Sequence, residues 1–227
     1  MFTTGSTSFI CTATIRAVPE FSQGHRSRAA AAEAAGPLLW APYGIPGNAI
    51  AAARTAVYRL GVKPPPIALE QIRELGPPCF EAVARDEWTD RNQHVNIRYY
   101  TAVFDDAGDA FYPTVGLGDT DHRRRESGTM DLEHHTHFLR ELRPGDRIAV
   151  YLRIVGVSAK RFHYLMFLVN ESTGELASIF ECVNTFVDLT QRKSAAWPAE
   201  VRDALESICK MHSSLPWAAP ICGSMSA

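Results

Sequence analysis

Asp90, Asn92 and His94 occupy alternate positions in WTDRNQHVN, residues 88–96, and a run with helical apolar spacing begins directly after them. The first backbone N–H groups of a helix have no internal partner and carry partial positive charge. They can polarise a carbonyl or hold an oxyanion. A carboxylate at that place can act as general base or nucleophile, and an amide and an imidazole beside it can orient substrate or water. The same residue types also cap helices for purely structural reasons.

A second cluster is DLEHHTHFLRE, residues 131–141. In a regular strand Asp131, Glu133, His135 and His137 share one face, and Met130, Leu132, Thr136 and Phe138 the other. Glu133 is then a candidate second catalytic carboxylate and His135 a hydrogen-bond partner. His134, His135 and His137 raise the question of a metal. No HExxH or comparable ligand spacing is present, so no metal is expected. Arg123 to Arg125 and the pair Lys160-Arg161 offer cations for phosphates, the pair with more reason because it opens an apolar strand. There is no glycine-rich phosphate loop, GxSxG elbow or dinucleotide fingerprint.

These residues must be positioned by a core that starts near residue 77. Phe80, Ala82 and Ala84 alternate with Glu81, Val83 and Arg85, which predicts a strand ending near Trp88. Ile97, Tyr100, Val103, Phe104, Ala107 and Phe111 predict a helix of about four turns, capped by Asn96. Residues 116–128 read as a loop. Strands follow over 130–138, 148–154, 161–169 and 175–189, with turns at Arg143–Asp146 and 170–174. The run 161–169 is apolar on both parities, so both its faces are expected to be covered. One long helix followed by antiparallel strands is an α+β pattern, a sheet packed on a central helix.

Residues 1–76 lack this periodicity and read as a poorly defined N-terminal extension, with a faint transit-peptide composition at its start and a possible helix over 48–60. Residues 1–70 are expected to be dispensable for the chemistry, and a chain starting near Leu75 to stay folded, oligomeric and active. In residues 191–227, Pro198 can open a helix with Val201, Leu205 and Ile208 on one face, and the last dozen residues read as a loose tail.

The composition is that of a globular protein. The chain is 46% hydrophobic and 21% charged over 227 residues. A formal net charge of -2 gives no electrostatic reason to expect nucleic acid as a partner. No apolar run is long enough to span a membrane. The five cysteines are scattered and odd in number, which suits reduced thiols in the cytoplasm.

Trp88, Asp90, His94, Val95, Asn96, Tyr99 and Phe104, followed by LRELRPGD, resemble hotdog-fold thioesterases of the 4-hydroxybenzoyl-CoA thioesterase type. The D-x-N-x-H pattern also resembles the catalytic loop of plant acyl-carrier-protein thioesterases. The match extends to the group acting on betainyl-CoA in carnitine breakdown, through DLEHHTHFLREL (131–142), Lys160-Arg161-Phe162-His163, and Glu181 to Asp188. Gln93 stands where that group has glycine, Asp131 where it often has Thr, and His134 where it has Ser. The resemblance covers about 77–205.

It implies a curved antiparallel sheet wrapped around one long helix, in a homodimer or higher oligomer with sites between subunits. It implies hydrolysis of an acyl-CoA, with no cofactor beyond the CoA of the substrate. Asp90, Asn92, His94 and Glu133 would be catalytic; Asn96, Tyr99, His135, Lys160 and Arg161 would bind substrate. A quaternary ammonium would need aromatic faces or a carboxylate, which Trp88, Tyr99, Tyr100, Tyr112 and Asp131 supply. A hydratase or dehydratase of acyl thioesters, or a non-catalytic acyl-CoA-binding protein, remains open on the same fold.

Overall fold

The computed structural model describes residues 55–57 and 64–227. Its centre is helix α2 (Ile97–Phe111), extended by a 3-10 turn over Tyr112–Val115. Asn96 caps it: its side-chain oxygen accepts the Arg98 N–H at 3.1 Å. Tyr100, Val103, Phe104, Ala107 and Phe111 bury one stripe, as their spacing predicts, whereas Ile97 is 63% exposed.

The stripe packs on an antiparallel sheet. Strands β2 (Phe80–Val83), β3 (Ser127–Phe138), β4 (Arg147–Val157), β5 (Arg161–Asn170) and β6 (Glu175–Asp188) lie in the order β2-β4-β5-β6-β3, and a two-residue β7 (Lys193–Ser194) pairs with β6. Phe162, Tyr164 and Met166 of β5, with Phe180, Cys182 and Phe186 of β6, face α2, and Phe104 stacks on Phe180 at 4.9 Å between centroids. A curled antiparallel sheet around one long helix is the hotdog fold.

The other face of the sheet is also covered, as the two-sided apolar pattern of β5 requires. Tyr151, Leu165, Phe167 and Ile179 form a second core with Ile72 and Leu75 and with Trp217 and Ala219. Ile72 belongs to α1 (Leu69–Arg73) and is fully buried, so the residues just before the sheet pack on it. Trp217 and Ala219 belong to the end of the chain. That segment is no loose tail: β8 (Ala219–Ile221) pairs in parallel with β1 (Thr55–Val57). Thr55–Val57 is therefore a strand, not part of a helix. Pairing to β8 outweighs the alanine-rich helical preference, which is a weak local bias. The rest of the expected 48–60 helix, the start of the chain and Cys11 lie outside the described residues.

Helix α3 (Asp119–Arg125) occupies part of the expected loop. It is polar, so periodicity does not reveal it; Arg124 pairs with Asp121, and Arg125 with Glu200. Glu200 opens α4 (Ala199–Ser213), whose Val201 and Leu205 are buried as predicted. β2 ends its pairing at Phe80↔Val150, and α4 lies against β4 beyond it. There His212 Nδ1 accepts the Ile154 N–H at 2.9 Å, closing an otherwise open strand edge. Burial pushes His212 down to about 4, so it stands neutral. Arg153, 2% exposed, stacks 4.0 Å from the Trp217 ring and donates to the His212 and Trp217 carbonyls.

Candidate active site

Residues 90–94 form a tight turn held between Thr89 and Val95, which make an isolated antiparallel bridge. Asp90 N–H donates to the His94 carbonyl, and Gln93 N–H to the Asp90 carbonyl. Gln93 has a φ of 63°. That is the left-handed region where glycine is at ease. This explains why the resembling group carries glycine there. Val95 N–H donates to Leu142 O at 2.8 Å, and Leu142 N–H to the Tyr100 hydroxyl at 2.9 Å, so the turn, α2 and the LRELRPGD segment are fastened together.

The Asp90 carboxylate is the hub of this turn. Its Oδ1 accepts the Asn92 N–H at 2.8 Å, and its Oδ2 receives the amides of Asn96 at 3.3 Å and Asn92 at 3.5 Å. The Asn92 backbone donor is the main reason its carboxyl lies below the usual value, with His94 and Asn96 adding to the effect. Asp90 is thus ionised at neutral pH. His94 Nδ1 is 3.2 Å from the Val95 carbonyl and 3.9 Å from Asp90 Oδ1. Only the first is within hydrogen-bond reach. A donating Nδ1–H leaves Nε2 as an acceptor. Among the described residues the Ile97 N–H, at the start of α2, donates to no other group. A carboxylate, an imidazole and an open helix N-terminus thus stand together. A cleft of about 250 Å³ adjoins them, lined by His94, Ile97, Tyr100 and, from the end of β3, Phe138 to Glu141.

Several predicted site residues are elsewhere. Tyr99 stacks on Trp88 at 5.5 Å and donates its hydroxyl to Glu87 O, outside that cleft; Tyr100 lines it instead. Glu133 and His135 do not join Asp90. β3 pairs Asp131 with Asn184 but Glu133 with Val183, so Leu132 is a one-residue bulge. A bulge reverses the parity of everything after it. Thr129, Asp131, His134, Thr136 and Phe138 face α2, while Glu133, His135 and His137 face the other way, with Glu181 and Ile179. The single-face reading of Asp131 with Glu133 fails for that reason. Lys160 lies in the β4–β5 turn and Arg161 opens β5, paired with Thr185, itself opposite Met130. That is the start of β3, whereas His94 adjoins its end.

Near the start of β3 is a group the spacing did not reveal. A polar cavity of about 340 Å³ is lined by Phe104, Asp105, Gly108, Asp109, Tyr112, Thr129, Asp131, Tyr164 and Asn184. Asn184 Nδ2 donates to Asp131 Oδ1 at 2.6 Å, while the buried Asn184 Oδ1 has no partner among the described residues. Partial burial raises the carboxyls of Asp105 and Asp109, and neighbouring aspartates raise them further. Of the aromatic and acidic residues suggested for a cation, Tyr112 and Asp131 meet here; Trp88, Tyr99 and Tyr100 do not.

The chain is similar to several known proteins. A betainyl-CoA thioesterase of Pseudomonas aeruginosa is 29% identical over 137 residues, 60% of this chain and 86% of that protein. An L-carnitine dehydrogenase/betainyl-CoA thioesterase of Agrobacterium fabrum is 30% identical over 128 residues, 56% of this chain but 26% of that longer protein. A hypothetical protein of Staphylococcus aureus, solved in complex with CoA, superposes with a TM-score of 0.59 at 26% identity, over 65% of this chain and 93% of that one. The family model described as the thioesterase-like superfamily matches residues 84–205, more than half of the chain. The helix, the sheet and the Asp90 turn all lie within or beside that span: the chain belongs to the thioesterase-like superfamily, as a hotdog-fold thioester hydrolase.

Proposed function

We propose that this protein hydrolyses an acyl-CoA whose acyl group carries a positive charge, of the betainyl type, giving the free acid and CoA. The observation that carries the substrate reading is the cavity around Asp131. Three carboxylates, Asp105, Asp109 and Asp131, gather there beside the rings of Tyr112 and Tyr164. A fixed cation relieves their mutual repulsion and lies against aromatic faces. The names of the Pseudomonas and Agrobacterium relatives point to the same substrate class, and the CoA bound to the Staphylococcus protein supports the CoA half.

The chemistry falls to the Asp90 turn. The thioester carbonyl oxygen lies at the α2 N-terminus, where the Ile97 N–H is open to hold the oxyanion. Asp90 attacks the carbonyl or takes the proton of the attacking water. His94 and Asn92 position it, and Asn96 holds both the carboxylate and the helix cap. Within one chain the cavity is remote from this turn, since α2 from Ile97 to Gly108 is about 16 Å long.

A second copy removes that separation. β3 is an edge strand with Met130, Leu132 and Phe138 exposed, a surface suited to pairing. Antiparallel pairing of two β3 edges about a two-fold axis sets the end of one strand beside the start of the other. The Asp90 turn of one protomer then meets the Asp131 cavity and the Lys160-Arg161 turn of its partner, where the two cations hold CoA phosphates. Among the described residues no helix is long and apolar enough to cross a membrane. The four described cysteines are free, which goes with a cytoplasmic setting.

The test is release of free CoA, followed with a thiol reagent, from betainyl-CoA and from 3,3-dimethylbutanoyl-CoA, its uncharged isostere. Strong preference for the cation is expected. Equal turnover would remove the cationic substrate, hydration of an enoyl-CoA without CoA release would point to a hydratase, and binding without turnover to a carrier.

A further inference from the structure

On the sheet face away from α2, side chains from four segments converge. His135 of β3 lies directly opposite Glu181 of β6. Glu181 is 0% exposed. That is an unusual place for a carboxylate. Its Oε1 is 2.8 Å from His163 Nε2 of β5, and its Oε2 accepts the Cys222 N–H, just after β8, at 2.7 Å. The potential ligand atoms of His135, Glu181 and Cys222 all lie within 4.8 Å of one another. His135 Nδ1 is buried without a partner among the described residues.

We propose that His135, Glu181 and Cys222 bind a divalent transition-metal ion of the zinc class and thereby clamp the C-terminal segment onto the sheet. Imidazole, carboxylate and thiolate together suit zinc or cobalt, whereas calcium and magnesium take oxygen ligands. Tetrahedral zinc sets its ligand atoms about 3.5 Å apart at ordinary bond lengths. Small rotations of His135 and Cys222, both only partly buried, bring the three to that spacing. His163 then acts as the outer partner that orients the Glu181 carboxylate. Water completes the fourth position. Binding sends the Cys222 thiol proton to solvent and leaves the thiolate on the metal. The site is separate from the Asp90 turn, so the proposal stands apart from the substrate reading.

The test uses the full chain, stripped with a chelator under reducing conditions and titrated with Co²⁺ and then Zn²⁺. We expect one ion per chain and a thiolate-to-cobalt charge-transfer band in the near ultraviolet. Cys222→Ser should abolish the band. His135→Gln should weaken binding by on the order of tenfold or more. Zinc should raise the melting temperature of the parent chain and not of Cys222→Ser, whose polar, partly exposed replacement preserves folding. The proposal is overturned if no stoichiometric binding occurs, if the band survives in Cys222→Ser, or if zinc shifts both melting temperatures alike. Any of these leaves Glu181, His163 and Cys222 as a buried hydrogen-bond network only.

Discussion

Asp131 and Glu133 are two residues apart on β3 yet face opposite sides of the sheet, because Leu132 is bulged out between them. Asp131 bonds to Asn184 in the cavity beside α2, and Glu133 is exposed on the other face. Asp131→Asn should therefore reduce kcat/KM for betainyl-CoA by about 10-fold or more, through loss of the charge facing the cation. It should leave the uncharged isostere little changed. Glu133→Gln should retain activity towards both. If Glu133→Gln proves the damaging change, the bulge does not set the site.

Asp90 is held ionised chiefly by the Asn92 N–H. Asp90→Asn should lower kcat on the order of 10²-fold or more, with a smaller change in KM and an unchanged far-ultraviolet circular dichroism spectrum. The active form is the carboxylate, so with the uncharged isostere as substrate, where the cavity aspartates carry no binding charge, kcat/KM should fall only as pH drops below the ordinary aspartate value of about 3.9. In the substrate complex, exclusion of water raises the carboxyl's pKa, so the acid limb of kcat should lie at higher pH than that of kcat/KM.

The N-terminal boundary can be tested by length. Ile72 is fully buried in the second core, and Leu75 belongs to the same core. A chain starting at Leu75 loses Ile72 and should be less stable than one starting at Pro64 by about 2–5 kcal/mol, the usual cost of emptying a large core position. Urea unfolding of the two chains measures the difference. Equal midpoints would show that α1 is only draped on the sheet.

His212 makes stability fall in acid. Its folded pKa is about 4, below the ordinary 6.5. The unfolded chain therefore takes up the proton first. The contribution of the neutral ring is fully present above about pH 6.5 and is lost as pH falls towards 4, at up to about 1.4 kcal/mol per pH unit. Comparison of urea midpoints at pH 7 and pH 5 should show a larger drop in the parent chain than in His212→Gln, which starts less stable but lacks this titration.

The features legible from residue order alone are local. The stripe from Tyr100 to Phe111 and the Asn96 cap define α2, and the parity of β4, β5 and β6 and the two-sided apolar character of β5 define the sheet. These follow from repeat periods of about 3.6 and 2, and they placed Asp90, Asn92 and His94 at the helix start. Tertiary structure decided the rest. The bulge at Leu132 is invisible to periodicity, since a two-residue alternation presumes an unbroken ladder. Helix α3 is polar all round and takes shape through pairs such as Arg125–Glu200, 75 residues apart. The strand pairing of Thr55–Val57 with Ala219–Ile221 and the seating of Trp217 on Phe167 join segments that only the folded chain brings together. The gathering of Asp105, Asp109 and Asp131 requires α2 and β3 side by side. Long-range contacts of this kind depend on where the chain returns, and no window of local sequence contains that information.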